Sequence, residues 1–232
     1  MKTISIFIPV YNEIAILEKN TRFLYQYLQE LDVPFEIIIG DNGSTDGTEA
    51  AGRDLANRLP ELRFFHLPHK GVGSAFKQGV KMARGDVVIS LDMDLSIDLA
   101  FVERAAALAA EYDIVIGSKK MGDQTRSLVR IVGSGLYLLC AKLLLNLPFD
   151  DYSIAAKAYR RNVAMAYLDR VNFGTSYVLE MVYLARRAGY KVTAIPVSCH
   201  DLRPSKFNLI NEAVYRFYNL FIFWAKSRHI PR

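Results

Sequence analysis

Two aspartates separated by one residue are the strongest indication of chemistry in the sequence. Asp92 and Asp94 follow the apolar run at residues 87–91, and no lysine or arginine adjoins them. Alternate side chains of an extended segment lie on the same side, so the pattern predicts two converging carboxylates. Such a pair favours a divalent cation, because uncompensated carboxylates are costly to bury together. Mg²⁺ or Mn²⁺ held by one or two carboxylates and by substrate phosphates is typical of sites for phosphate-bearing substrates.

Two further polar segments stand at the ends of predicted strands. Residues 9–13 (PVYNE) end the first strand, and residues 41–48 (DNGSTDGT) follow the second. Asp, Asn, Ser and Gly are also the residues that a turn and a helix N-cap require, so the second segment alone fits a structural role equally well. In open α/β sheets, however, ligands bind beyond the carboxyl ends of the strands. The three segments together therefore predict one polar crevice.

The elements that must position these segments alternate between strand and helix. Predicted strands cover residues 4–10, 36–40, 63–67, 87–91, 113–117 and 191–197, and predicted helices cover residues 14–31, 47–59, 73–84, 99–111, 131–147, 176–188 and 209–226. Alternation with short connections predicts an α/β fold with a mostly parallel sheet and helices on both faces. We expect one domain over residues 1–207 and a C-terminal amphipathic helical extension over residues 208–232.

The composition excludes several classes of protein. The chain has 232 residues, 51% hydrophobic and 23% charged, and is therefore neither disordered nor collagen-like. Its net charge of +5 suits an anionic small molecule or membrane surface and falls short of a polybasic nucleic-acid binder. The two cysteines form neither a disulfide framework nor a metal-binding pattern. The N-terminal apolar run lacks a cleavage site and predicts a strand, not a signal peptide. We expect a cytoplasmic location.

Two apolar segments indicate contact with a membrane surface. Residues 131–147 include a lysine and reach only the short limit for a span, which needs about 20 apolar residues. Residues 209–226 are rich in aromatic side chains and are flanked by basic ones, as in interfacial helices. A core helix explains residues 131–147 equally well. Neither segment predicts a transmembrane helix, and we expect peripheral contact at the cytosolic face of a membrane.

The motifs of the chain resemble those of the family 2 glycosyltransferases of the GT-A fold. In the first half they are IPVYNE (8–13), DNGSTDGT (41–48), KGVGSA (70–75), ARGDVVISLDMDLS (83–96) and IGSKK (116–120). In the second half, DYSIAAKAYRR (151–161), GTSYVLEM (174–181) and IPVSCHDLRPSKF (195–207) are similar to the branch of dolichol-phosphate mannose synthases and polyprenyl-phosphate glycosyltransferases. The resemblance implies transfer of mannose or glucose from a nucleotide sugar, GDP-mannose or UDP-glucose, to a polyprenyl or dolichyl phosphate.

The resemblance also implies roles for individual residues. The nucleotide sugar would be bound by Pro9, Tyr11, Glu13, Gly40, Asp41, Asn42, Asp92, Met93 and Lys206. The metal, Mg²⁺ or Mn²⁺, would be held by Asp92, Asp94 and Ser96, where Ser96 replaces a glutamine usual in the family. The acceptor phosphate would be clamped by Lys119, Arg126, Arg130 and Arg203. Asn42 stands where mannose synthases tend to carry an aspartate, so the donor stays undetermined.

Charge considerations favour a phosphate acceptor. A phosphate monoester is mostly dianionic at neutral pH and needs cations to position it, whereas a sugar hydroxyl needs a general base. The expected reaction is an inverting displacement with Asp94, Asp151, Arg130 and Arg203 as the catalytic residues. Two alternatives stay open. A hydroxyl acceptor would require Asp151 or Glu180 as the base, and a non-catalytic domain would bind nucleotide sugars without turnover.

Overall fold

The computed structural model describes residues 2–119, 121, 128–152, 154–199 and 209–228. Its strands are β1 (Ile4–Val10), β2 (Phe35–Asn42), β3 (Leu62–Leu67), β4 (Val87–Ser90), β5 (Ile114–Ser118), β6 (Lys157–Arg160) and β7 (Val192–Pro196). Its helices are α1 (Ile14–Glu30), α2 (Thr48–Arg58), α3 (Val72–Met82), α4 (Ala100–Leu108), α5 (Leu128–Leu145), α6 (Arg161–Tyr167), α7 (Tyr177–Arg187) and α8 (Leu209–Ser227).

The strands form one seven-stranded sheet in the order β3-β2-β1-β4-β6-β5-β7. β1 lies between β2 and β4 and pairs in parallel with both. β6 runs antiparallel to its neighbours β4 and β5, while β7 pairs in parallel with β5. The sheet is therefore mixed but mostly parallel, as predicted, and the ends of β1, β2 and β4 meet at one edge.

The period-two pattern of the strands divides the core into two layers. Phe7 faces a cluster that includes side chains of α3, α5, α6, α7 and α8. Its neighbours Ile6 and Ile8 face the opposite cluster, which includes side chains of α1, α2 and α4. Helices thus cover both faces of the sheet, because apolar side chains of the strands project from both faces.

One strand and one helix of the structure were not predicted. β6 and α6 occupy residues 157–167, where the sequence indicated no regular element. The segment KAYR at residues 157–160 lacks the β-branched run of the other strands, so its local pattern is weak. Its strand structure comes from pairing, since it fills the gap between β4 and β5. Pairing of this kind joins segments distant in sequence, which local periodicity does not report.

The two apolar helices α5 and α8 each have one face in the core and one in solvent. Tyr137 of α5 and Phe217 of α8 are in edge-to-face contact, with ring centroids 5.6 Å apart. Leu220 and Phe223 of α8 are buried in the main cluster. Within the described residues, no helix combines the length and the apolar character that crossing a membrane requires. The division of the chain at residue 207 stays a prediction, and residues 200–208 lie outside the described part.

Candidate functional site

A crevice of about 560 Å³ opens at the edge of the sheet where β1, β2 and β4 end. Its lining consists of Pro9, Tyr11, Glu13, Asn42, Lys70, Gly71, Val72, Asp92, Tyr152, Ile154, Ala155, Phe173, Gly174, Thr175, Tyr177, Val178, Glu212, Tyr215 and Arg216. The predicted strand ends and residues 70–72 at the start of α3 come from the first half of the chain, and the second half contributes the rest of the lining.

The two aspartates after β4 come together through a turn. The Leu95 N–H donates to the Asp92 carbonyl oxygen at 3.1 Å, and Leu95 has a φ of 50° in the left-handed region. The expectation of an extended segment with alternating side chains was therefore wrong. Asp94 is oriented by the Ser96 N–H, which donates to its Oδ1 at 3.1 Å. The turn still leaves the two carboxylates close enough for Asp94 to act on the charge of Asp92.

Asp92 has the electrostatic properties of a cation ligand. Burial and, to a smaller extent, the nearby Asp94 carboxylate raise its pKa to about 6, while hydrogen bonding from Ala155 acts in the opposite direction. A divalent cation between the two carboxylates would offset both the burial and the repulsion. Hard oxygen ligands of this kind suit Mg²⁺ and Mn²⁺. The residues present therefore fit the metal that the sequence predicted.

Two buried lysines lie behind Asp92, at the ends of β5 and β6. Lys157 is fully buried, and its Nζ donates to the Ile154 carbonyl oxygen at 2.9 Å. Burial lowers its pKa to about 8, although the Asp151 and Asp92 carboxylates act in the opposite direction. Lys119 Nζ lies 3.7 Å from Asp151 Oδ2, and both residues are buried. The aspartates thus sit beside two positive charges, of which the sequence did not indicate Lys157, because it is on the unpredicted β6.

The loop after β1 is held in place by the segment at residues 41–48. The Asn12 N–H donates to Ser44 Oγ at 2.8 Å, and the Glu13 N–H donates to Thr48 Oγ1 at 2.9 Å. Asp46 Oδ2 accepts from the Ile14 N–H at 3.2 Å. Although burial raises the pKa of Asp46, hydrogen bonds from Thr48 and Ile14 hold it below its ordinary value. These bonds fix Tyr11 and Glu13, which line the crevice.

Asp41 and Asn42 make internal contacts. Asp41 is fully buried and accepts from Ser44 Oγ at 2.5 Å, and its Oδ2 is 2.8 Å from His66 Nδ1. With Glu49, these ligand atoms lie within 4.8 Å of one another, as in a metal site, but the group is outside the crevice lining. Asn42 lines the crevice while donating to the Val10 carbonyl oxygen at 2.7 Å and accepting from the Gly71 N–H at 3.2 Å.

Asn172 fixes the far wall of the crevice. Its Oδ1 accepts from the Gly174 N–H at 2.6 Å and from the Tyr215 hydroxyl at 2.7 Å, and its Nδ2 donates to Asn219 Oδ1 at 3.0 Å. Its own N–H donates to Glu180. Burial raises the pKa of Glu180 to about 7, while the hydrogen bond from Asn172 acts to lower it. Glu180 thus anchors this wall from inside α7.

The helix α8 forms part of the same wall. Glu212, Tyr215 and Arg216 line the crevice, and Arg216 Nε donates to Glu212 Oε1 at 2.7 Å. The sequence indicated an amphipathic extension here and no site residues. No motif marks these residues, so only the packing of α8 identifies them.

The predicted site residues fall into three groups. Those that line the crevice are Pro9, Tyr11, Glu13, Asn42 and Asp92. Those that lie behind or beside the lining are Gly40, Asp41, Met93, Asp94, Ser96, Lys119 and Asp151. Arg126, Arg203 and Lys206 lie outside the described residues, as does the side chain of Arg130 on α5. In the second group, Met93 is buried, and its carbonyl oxygen accepts from Asn20 Nδ2. Gly40 packs against Phe65, and any side chain at residue 40 would collide with that ring.

Solved structures of glycosyltransferases share this fold. The glucosyl-3-phosphoglycerate synthase of Mycobacterium tuberculosis, in complex with Mn²⁺, uridine diphosphate and phosphoglyceric acid, matches all of this chain and 80% of its own, with a TM-score of 0.71 and 20% identity. The mannosyltransferase PcManGT of Pyrobaculum calidifontis, in complex with GDP-Man and Mn²⁺, matches all of this chain and 65% of its own, with a TM-score of 0.68 and 19% identity. The chain has the GT-A fold.

Curated relatives are longer than this chain. Glycosyltransferase AglD of Haloferax volcanii is 29% identical over 218 residues, which is 90% of this chain and 35% of AglD. The undecaprenyl-phosphate 4-deoxy-4-formamido-L-arabinose transferase of Pseudomonas syringae is 32% identical over 170 residues, or 72% of this chain and 50% of that protein. The chain therefore spans half or less of the length of these two relatives. The family model described as glycosyl transferase family 2 matches residues 5–168, more than half of the chain. The chain belongs to glycosyl transferase family 2.

Proposed function

We propose that the protein transfers a hexose, mannose or glucose, from a nucleotide sugar to a polyprenyl phosphate, with inversion at the anomeric carbon. The observation that carries the proposal is the pair Asp92 and Asp94 at the crevice, beside residues of the β1 loop and of α8. Carboxylates that follow the carboxyl end of a strand are suited to hold the charged part of a nucleotide sugar through a cation. The family to which the chain belongs supports the same class of reaction.

The donor side of the proposal rests on the two aspartates and the β1 loop. Asp92 and Asp94 would hold Mg²⁺ or Mn²⁺, with Ser96 orienting Asp94 through its N–H. When bound, the cation supplies Lewis-acid stabilisation of the departing nucleoside diphosphate. Tyr11 and Glu13 are positioned to bind the nucleotide, since the loop that carries them is fixed by Ser44 and Thr48. The similar structures bound with UDP or GDP-Man and Mn²⁺ support both candidate donors.

The acceptor side of the proposal rests on charge. A relative whose name specifies an undecaprenyl phosphate substrate supports a lipid phosphate acceptor. Such a phosphate attacks without a general base, so cations are what it needs. Asp151 is buried and paired with Lys119, which favours a positioning role over proton abstraction from a sugar hydroxyl. Lys119, Arg126, Arg130 and Arg203 stay the proposed phosphate clamp, and Asp151 the residue that orients Lys119.

A lipid acceptor also requires contact with a membrane, and α5 and α8 are suited to provide it. Leu136, Leu139 and Leu143 are exposed along one face of α5, and Val214, Tyr218 and Phe221 along one face of α8. Lys226 and Arg228 are exposed at the end of α8. Apolar and aromatic side chains followed by basic ones favour the surface of an anionic bilayer. We propose that these faces make peripheral contact with the cytosolic leaflet.

Acceptor-dependent release of nucleoside diphosphate tests the proposal. The full chain is incubated with Mg²⁺ or Mn²⁺, with UDP-glucose or GDP-mannose, and with a prenyl phosphate in detergent, a saccharide, or no acceptor. We expect release above the no-acceptor level only with the prenyl phosphate and one of the donors. Release stimulated only by the saccharide would replace the lipid acceptor by a hydroxyl acceptor. Binding of donor without release under any condition would favour the non-catalytic alternative.

A further inference from the structure

Arg216 of α8 is a cation of the crevice wall, and among the described lining residues of the second half of the chain it is the only one. Its side chain is 26% exposed, lines the crevice and pairs with Glu212, one helical turn earlier. Among the described residues, Glu212 is the only carboxylate within ion-pair distance of Arg216, and the bond is made through Nε. The two terminal nitrogens of the guanidinium make no hydrogen bond to a carboxylate in the described part of the chain.

The charges that line the crevice do not by themselves suit an anionic ligand. The described lining contains the carboxylates Glu13, Asp92 and Glu212 and the cations Lys70 and Arg216. Lys70 Nζ lies 4.0 Å from the centroid of the Tyr11 ring, on the side of the β1 loop. Arg216 is on the opposite element, α8. A phosphate that entered from the α8 side would meet Arg216 as the lining cation of that wall.

We infer that Arg216 is a phosphate-binding residue of the crevice and that Glu212 holds its guanidinium in place while no phosphate is bound. The planar fork of arginine matches two phosphate oxygens at once, and phosphate would replace the single bond to Glu212. The inference rests on the proposed function, because it assumes that a phosphate-bearing substrate enters the crevice. Two substrates carry that chemistry, the diphosphate of the donor and the phosphate of the acceptor.

The position of α8 connects this residue to the helix faces for which we propose membrane contact. Arg216 and Glu212 face the crevice, whereas Val214, Tyr218 and Phe221 of the same helix are exposed to solvent. If the exposed face rests on lipid, one helix meets both the lipid surface and the crevice. A lipid phosphate would then reach Arg216 without crossing the sheet.

Equilibrium binding tests the inference without relying on turnover. Binding of UDP and GDP with Mn²⁺, and separately of a short-chain prenyl phosphate in detergent, is measured for the wild-type chain, Arg216→Gln and Glu212→Gln. Arg22→Gln is the matched control, since Arg22 pairs with Glu18 at the same helical spacing on α1, outside the crevice. Circular dichroism confirms that each variant is folded. Loss of a charge-assisted hydrogen bond predicts about 10- to 100-fold weaker binding for Arg216→Gln.

The two arms identify the source of the phosphate. Weaker binding of the prenyl phosphate alone assigns Arg216 to the acceptor, and weaker binding of UDP or GDP alone assigns it to the donor. Glu212→Gln is expected to bind the same ligand up to about fivefold more tightly, because a competing carboxylate is removed. Unchanged binding of all ligands by Arg216→Gln, or an equal loss in Arg22→Gln, would overturn the inference. Absence of transfer by a wild-type chain that binds these ligands would overturn the proposed function instead.

Discussion

At the scale of single residues, the polar motif after β2 mainly builds the loop beside it. Ser44, Asp46 and Thr48 each accept a backbone N–H of residues 12–14. The sequence left open whether these residues bind a ligand or form a turn and helix cap. The hydrogen bonds favour the second role, and they explain how the motif acts on a ligand site that its own side chains largely do not touch.

Thr48→Val tests this positioning role. The change removes a buried hydroxyl and leaves the Glu13 N–H without its acceptor, which costs about 1–3 kcal/mol of unfolding free energy. We expect weaker nucleotide binding as well, because Glu13 lines the crevice. Urea unfolding and nucleotide titration measure the two effects. Thr21→Val is the control, since the hydroxyl of this buried threonine contacts only the Met93 sulfur, at 4.0 Å, in the described structure. Equal effects of the two changes would contradict the role of Thr48.

The raised pKa of Glu180 leads us to predict that the stability of the fold depends on pH. Because burial raises its pKa to about 7, from an ordinary value of 4.5, the folded chain keeps a proton that the unfolded chain releases between these values. Its contribution to stability is therefore present below pH 4.5 and is lost as the pH rises through about 7. The wild type should lose about 2–3 kcal/mol relative to Glu180→Gln between pH 5 and pH 8, measured by urea unfolding. A difference independent of pH would show that Glu180 does not titrate in this range.

At the scale of elements, the strands that are apolar runs could be predicted from the sequence. The strand that depends only on pairing with its neighbours, β6, could not. β1 has the bounds that the sequence predicted, and β2 to β5 and β7 agree within two residues at each end. β6 was missed because Lys157 and Arg160 give KAYR the look of a surface segment. The omission also concealed Lys157, whose buried ammonium lies near Asp92 and Asp151. The only local indication that Lys157 is buried was its position among small and aromatic residues.

The close contact of α3 with β1 predicts the effect of adding one methyl group. A side-chain carbon at Gly79 would collide with the ring of Phe7, which is fully buried. We expect Gly79→Ala to destabilise the fold by about 1–3 kcal/mol through overpacking, despite the higher helix propensity of alanine. Gly133→Ala on α5 is the matched control, because nothing lies within 4 Å of the added carbon. It should stabilise the fold by up to about 1 kcal/mol. Thermal and urea unfolding compare the two, and a stabilised Gly79→Ala would contradict the packing described.

At the scale of the whole molecule, the two apolar helices lie on the same side of the sheet and α8 borders the crevice. The sequence predicted interfacial helices here, since residues 131–147 and 209–226 are apolar and flanked by basic residues, and it left a core position equally open for residues 131–147. It did not predict that Leu220 and Phe223 are in the core or that Tyr215 reaches Asn172. Those contacts join segments over 40 residues apart, so no local pattern reports them.

The exposed faces of these helices predict binding to anionic vesicles. Leu143 is 76% exposed on α5 and Tyr218 is 64% exposed on α8. A charge at either position removes apolar area from the interface, so Leu143→Glu and Tyr218→Glu should each reduce vesicle binding about tenfold or more. Flotation with vesicles containing phosphatidylserine measures the change. Phe23→Glu, at a residue 58% exposed on α1, is the control on the opposite face of the sheet. Equal loss in all three variants would assign the effect to net charge and not to these faces.

The most direct measurement of the central claim is the formation of a lipid-linked sugar by defined variants. Labelled UDP-glucose or GDP-mannose, a prenyl phosphate and Mn²⁺ are supplied to the wild-type chain, Asp94→Asn and Asp98→Asn, and the label in the lipid fraction is measured. Asp98 is exposed, accepts a hydrogen bond from the Ala100 N–H at the start of α4 and lies outside the crevice lining. We predict labelled lipid with the wild type and Asp98→Asn and a loss of at least about 100-fold with Asp94→Asn, since one charged ligand is removed. Transfer by Asp94→Asn at the wild-type level would contradict the assignment of the site. Transfer by the wild type after chelation of the metal would contradict it as well.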